Sequence, residues 1–115
     1  MALRHFKDYY KQVEKQYLKM VDDAKEYDKL LKEGKVEYEQ VEQVQGMLSK
    51  VTENYKRLTY VAYLMQLPNR AKKEAKHRNK KVEDALKDSS KEAILRENED
   101  VLKNFKNKLE EIKNG

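Results

Sequence analysis

LRHFKDYYKQVEKQYLKMVDDAKEYDKLL, residues 3–31, decides the fold class. Its apolar positions, Leu3, Phe6, Tyr10, Val13, Tyr17, Met20, Ala24, Tyr27 and Leu31, recur in steps of three and four without a miss. That spacing keeps one stripe of a helix turned toward a partner along its whole length. Gly34 follows, where a left-handed residue just past a helix ends it, and Lys29 and Lys32 complement the dipole of the last turn. The first helix is expected to stop near residue 33.

The same pattern resumes as Val41, Val44, Leu48, Val51, Tyr55, Leu58, Ala62 and Met65. Two helices folded back on each other pair residues whose position numbers have a constant sum. Leu31 with Val41, Tyr27 with Val44, Ala24 with Leu48 and Met20 with Val51 all add to 71 or 72. The register continues through Tyr17 with Tyr55, Val13 with Leu58, Tyr10 with Ala62 and Phe6 with Met65, setting large against small at the alanines. This spacing predicts an antiparallel hairpin over residues 1–67. The same heptads could serve a parallel dimer, but Gly34 and the short connection argue against that as the sole contact.

Leu67, Pro68 and Asn69 mark the next break, since proline disfavours helix in the residue before it and Asn69 can cap the next helix. Residues 68–115 then read as a basic segment succeeded by an amphipathic one. Apolar spacing is sparse at Ala71, Ala75, Val82 and Leu86, and tightens at Leu95, Leu102, Phe105, Leu109 and Ile112. Ser89 and Glu92 have the spacing of a capping box, which predicts a restart near Ser89. Unbroken, this stretch would run about 65 Å against roughly 47 Å for each hairpin arm, so a break or overhang is expected. Val61, Leu64 and Leu67 widen the stripe of the second helix and call for a third helix or another subunit there. Asn98 falls on the last seam, where one polar residue can set register, although a solvent-facing Asn is an equal alternative. Gly46 inside the second helix costs about 1 kcal/mol relative to Ala, which a close helix approach would explain.

Composition agrees with this reading. In 115 residues there are three Gly and one Pro, 41% are charged and 38% hydrophobic, which suits a thin rod of helices better than a thick core or a sheet. The expected architecture is all-α: a coiled-coil-like hairpin with a third, broken helix, one elongated three- or four-helix bundle over residues 1–115. Strict apolar periodicity argues against disorder. The absence of Cys excludes disulfides and thiolate sites and fits a cytoplasmic location. No stretch approaches the roughly 20 apolar residues of a spanning helix, and the start of the chain lacks a signal-peptide core. The abundance of Lys, Asn, Tyr and Glu is the usage expected of an AT-rich bacterial or phage genome.

Charge is placed unevenly. Residues 1–19 carry +3, 50–67 carry +2 and 68–81 carry +6, whereas 20–49 carry −4 and 82–115 carry −2. An antiparallel hairpin brings the three basic stretches to its open end and leaves the acids at its tip. The candidate surface for an anionic partner is Arg4, Lys7, Lys11, Lys15 and Lys19 with Arg70, Lys72, Lys73, Lys76, Arg78, Lys80 and Lys81. Tyr9, Tyr60 and Tyr63 lie off the seam nearby, as exposed rings for stacking. Leu95, Asn98, Leu102, Phe105, Leu109 and Ile112 form a candidate interaction seam.

Catalytic chemistry finds no support. His5 and His77 are far apart in sequence, no His or Cys ligand spacing exists, and Gly34-Lys35 lacks the rest of a phosphate loop. Asp22, Asp23 and Glu26 are flanked by Lys19, Lys25 and Lys29, the arrangement of helix ion pairs rather than of a cation site. Ser89 and Ser90 have no neighbouring base. No cofactor, metal or small-molecule substrate is indicated. A membrane surface is disfavoured because residues 70–81 lack a large apolar face. The expected function is a non-catalytic interaction or assembly protein that self-associates or docks a helical protein. The alternative is a sequence-tolerant nucleic-acid binder using the basic end.

Overall fold

The computed structural model describes residues 2–66 and 72–115, with side chains for residues 6–66 and 76–115. It is an all-α, elongated bundle of four helices: α1 (Ala2–Lys32), α2 (Tyr38–Gln66), α3 (Lys72–Leu86) and α4 (Asp88–Asn114), with no strand among the described residues. Its extents are 57 × 22 × 18 Å. The break expected at Leu67, Pro68 and Asn69 lies outside the described residues, as does Arg70.

Helix ends follow from local chemistry. Gly34 has φ 73°, and the Gly34 N–H donates to Leu31 O and the Lys35 N–H to Leu30 O, each at 3.1 Å. This pair of bonds is the Schellman closure that a residue without Cβ permits. At the start of α2 the Gln40 side chain reaches back, its Oε1 accepting from the Glu37 N–H at 2.9 Å. That is half of a capping box, with Glu37 in place of Ser or Thr.

α1 and α2 pair antiparallel in the expected register: the Tyr17 and Tyr55 rings lie 4.5 Å apart, and Phe6 clusters with Leu58 and Val61. α4 lies against both helices, and α3 packs on α2 and α4. The stripe widened by Val61 and Leu64 is thus covered from within the chain. A hydrogen-bonded ion pair between Lys113 and Glu26 ties the end of α4 to the hairpin tip, and the hydrogen bond to Glu26 raises the Lys113 pKa.

Each seam divides into two rows. Phe6, Val13, Met20, Tyr27 and Leu30 of α1 and Val44, Val51 and Leu58 of α2 are buried at the centre. Tyr10, Tyr17, Ala24, Val41, Leu48, Tyr55, Ala62 and Met65 are only half-buried, and Leu31 is 41% exposed while Leu30 takes the core position. Three local expectations are corrected. The third helix does break near Ser89, but at Lys87, whose ψ of 135° is extended; Ser89 already lies inside α4, so its hydroxyl has no N-cap to make. Gly46 is not explained by close approach, since nothing lies within 4 Å of where its Cβ would stand. Tyr9 is not an exposed ring: it is 4% exposed, packed in the open-end cluster with Phe6, Val13, Leu58 and Val61.

Candidate docking groove and basic end

The seam residues of α4 are spent inside the chain. Leu102, Phe105, Leu109 and Ile112 are buried in one cluster with Met20, Tyr27, Val44 and Val51, and Leu95 is half-buried in the open-end cluster. Asn98 is 0% exposed. Its Oδ1 accepts from Asn54 Nδ2 at 2.9 Å, and its Nδ2 donates to Gln16 Oε1 at 2.9 Å. Gln16 Nε2 in turn donates to Leu95 O at 3.1 Å, and Asn54 Nδ2 also reaches Glu97 Oε1 at 3.3 Å. Three amides from α1, α2 and α4 therefore satisfy one another across the core, and such a layer is stable only if every member is paired. Of the two readings of Asn98, the buried one holds.

Among the described residues, no third helix lies over the opposite flank of the hairpin. Between α1 and α2 runs a groove floored by the half-buried row. At the open end it forms a hollow of about 390 Å³ lined by Phe6, Lys7, Tyr10, Lys11, Ala62, Met65 and Gln66. At the tip end it is lined by Val21, Ala24, Lys25, Tyr27, Asp28, Leu31, Val41, Gln45 and Leu48. Midway, the Tyr10 hydroxyl donates to Tyr55 Oη at 3.2 Å and Tyr55 donates to Glu14 Oε2 at 3.1 Å. The hydrogen bond with Tyr10, then burial, then Glu14 push the Tyr55 pKa well up.

The edges of this groove differ in charge: Lys7, Lys11, Lys25 and Asp28 line it from α1. On α2 the edge is Gln45, Thr52, Thr59 and Gln66, seven residues apart and all neutral, in a chain that is 41% charged. Thr52 and Thr59 donate their hydroxyls to Leu48 O at 2.7 Å and Tyr55 O at 3.0 Å, so their polar groups are satisfied within α2. On α1 the edge is Lys7, Glu14, Val21 and Asp28. Sequence reasoning placed the floor residues in a closed seam. The signal that separates them is chemical: tyrosines with a polar tip recur in the outer row, and Val13, Val44, Val51 and Leu58 in the central one.

Among the described residues, the lysine row of α1 divides between two grooves. Lys7, Lys11, Lys15 and Lys19 are all exposed, but steps of four advance about 40° each around a helix. Lys7 and Lys11 accordingly border the α1–α2 groove, whereas Lys15 and Lys19 border α4 beside Asp22 and Glu99. On α3, Lys76, Lys80 and Lys81 are exposed, and Arg78 is half-buried and engaged with a neighbouring group. The side chains of Arg4, Lys72 and Lys73 lie outside the described residues, with Arg70. Tyr60 and Tyr63 are 50% and 57% exposed, and Lys81 Nζ sits 5.3 Å from the Tyr60 ring centre.

Two further tyrosines are buried without a partner: neither the Tyr9 nor the Tyr27 hydroxyl has a hydrogen bond among the described residues. Burial pushes the Tyr9 pKa up to about 12 and raises that of Tyr27. Lys91 Nζ lies 5.8 Å from the Tyr9 ring centre. Among the described residues no group of three or more His, Cys, Asp or Glu side chains could hold a metal ion, and no helix is long and apolar enough to cross a membrane. No family model, no curated protein and no solved structure matches the chain.

Proposed function

We propose that this protein is a non-catalytic helical interaction protein, and that its docking face is the groove between α1 and α2. The observation that carries this is the contrast between the two flanks of the hairpin. One is sealed by α4, and the other has the same apolar spacing, half-buried and edged on its α2 side by neutral residues. An amphipathic helix laid along such a floor buries apolar area at roughly 25 cal/mol per Å², and the α2 edge presents no charge to desolvate. A photo-reactive residue replacing Thr59, on the edge, is expected to form protein adducts, and the same residue replacing Lys103, exposed on α4, is not. Adducts at both positions, or at neither, would count against the groove.

A second reading rests on Tyr60, Tyr63 and Lys81. Two exposed rings, one with a lysine over it, beside a helix rich in Lys and Arg, are the elements of a sequence-tolerant single-strand surface. A gel-shift titration at about 50 and about 500 mM salt separates the two, because phosphate binding weakens steeply with salt and apolar docking does not. A salt-sensitive shift lost in Tyr60→Ala, without groove-dependent adducts, would move the function to that surface.

A further inference from the structure

We infer that the occupant of the α1–α2 groove is the same groove of a second copy, with the two rods antiparallel. This rests on the docking reading above and goes further by naming the partner. Charge selects the direction. The hairpin carries +3 over residues 1–19 and +2 over 50–67 at one end, and −4 over 20–49 at the other. A parallel pair would set basic end on basic end, whereas an antiparallel pair sets each basic end on an acidic tip.

The groove is also built for a two-fold axis. Lys7 and Asp28 stand at opposite ends of the α1 edge, and the Tyr17–Tyr55 pair, with rings 4.5 Å apart, lies midway between them. An axis through that pair, perpendicular to the rods, lays α1 on α1 and α2 on α2 of the partner. It sets Lys7 against Asp28 of the second copy twice over. The same operation carries Leu31, a 41% exposed leucine, toward the partner's hollow between Phe6, Tyr10, Ala62 and Met65. The face is large enough. A 31-residue helix is about 46 Å long, and across a rod 22 Å wide the patch is on the order of the ~800 Å² per partner that a stable dimer needs. The outer rows of two hairpins would then form the centre of a four-helix layer, for which their 3–4 spacing is suited.

Sedimentation equilibrium of the full chain at micromolar concentration is expected to give twice 13.8 kDa. Leu31→Glu, at a side chain the fold leaves exposed, is expected to weaken the dimer at least about tenfold while helicity by circular dichroism is unchanged. Because the chain has no cysteine, K7C mixed with D28C is expected to oxidise to a covalent dimer of the two, and K7C alone is not. Those positions are about 31 Å apart along one helix and cannot bridge within a chain. A strict monomer overturns the inference, as does a dimer in which K7C links to itself or which ignores Leu31→Glu and does not link at all. A monomer whose Thr59 edge still forms protein adducts would leave the docking reading intact with a different helical partner.

Discussion

Two flanks of the same hairpin, built from the same heptads, end up in different solvents. On the flank under α4, polar chemistry at mid-length is centred on amides, Gln16, Asn54 and Asn98, which bond one another and reach Leu95 O and the Glu97 carboxylate at the margin. On the open flank at a similar height it is done by hydroxyls and a carboxylate, Tyr10, Tyr55 and Glu14, a group that keeps its charge only near water. The contrast teaches that the fully buried seam position, Asn98, carries a neutral amide, while the carboxylates Glu97 and Glu14 stand at the margins of the two layers.

The sharpest way to break this contrast is a pair of truncations. Phe105→Ala, on the covered flank at 0% exposure, is expected to cost about 3–5 kcal/mol by urea denaturation. Leu48→Ala, half-buried in the groove, is expected to cost about 1–2 kcal/mol. Measured at concentrations where the chain is monomeric, equal losses would mean that the groove is as sealed as the core. The polar layers give the next test. Asn98→Ala takes one hydrogen bond each from Asn54 and Gln16 and opens space in the core, and is expected to cost about 2–3 kcal/mol, whereas Tyr55→Phe, whose partners reach solvent, should cost under about 1 kcal/mol.

Alkaline titration sharpens the comparison further, because the tyrosine pKa values are raised for different reasons on the two sides: burial at Tyr9, and chiefly the Tyr10 hydrogen bond at Tyr55. A folded pKa above the unfolded value of about 10 means that the unfolded chain ionises first. The stability contributed by Tyr9 is complete below about pH 10 and is lost between there and about pH 12. Tyr9→Phe is expected to flatten that decline in a melting-temperature series and, by removing a hydroxyl without a partner, to leave stability at neutral pH equal or higher. The smallest effect is expected on the face that belongs to neither flank. Gly46→Ala, with open space around it, should raise stability by about 1 kcal/mol or less. A loss there would reveal a neighbour over α2.

Much of this was legible in the chain. Helix ends at Gly34, the pairing of Tyr17 with Tyr55 and the interruption of the last helix come from spacing and from single residues whose preferences act within a few positions. The burial of Tyr9 was not legible. It stands one place before Tyr10, and only the arrival of Val82, Ala85 and Leu86 of α3 and Ile94 of α4 in the same cluster closes that side. The row from Lys7 to Lys19 was legible as composition, but its division between two grooves was not.

Local periodicity by itself thus determined that this protein is helical, where α1 ends, and in what register α1 and α2 pair, because each of these depends on neighbours three or four residues away. Only the tertiary structure decided which row of each seam is central, that Asn98 is a buried tie among three helices, and that one groove is left open. A stripe of apolar residues specifies a face that must be covered, but the number of helices that meet on it depends on contacts between residues far apart in the chain.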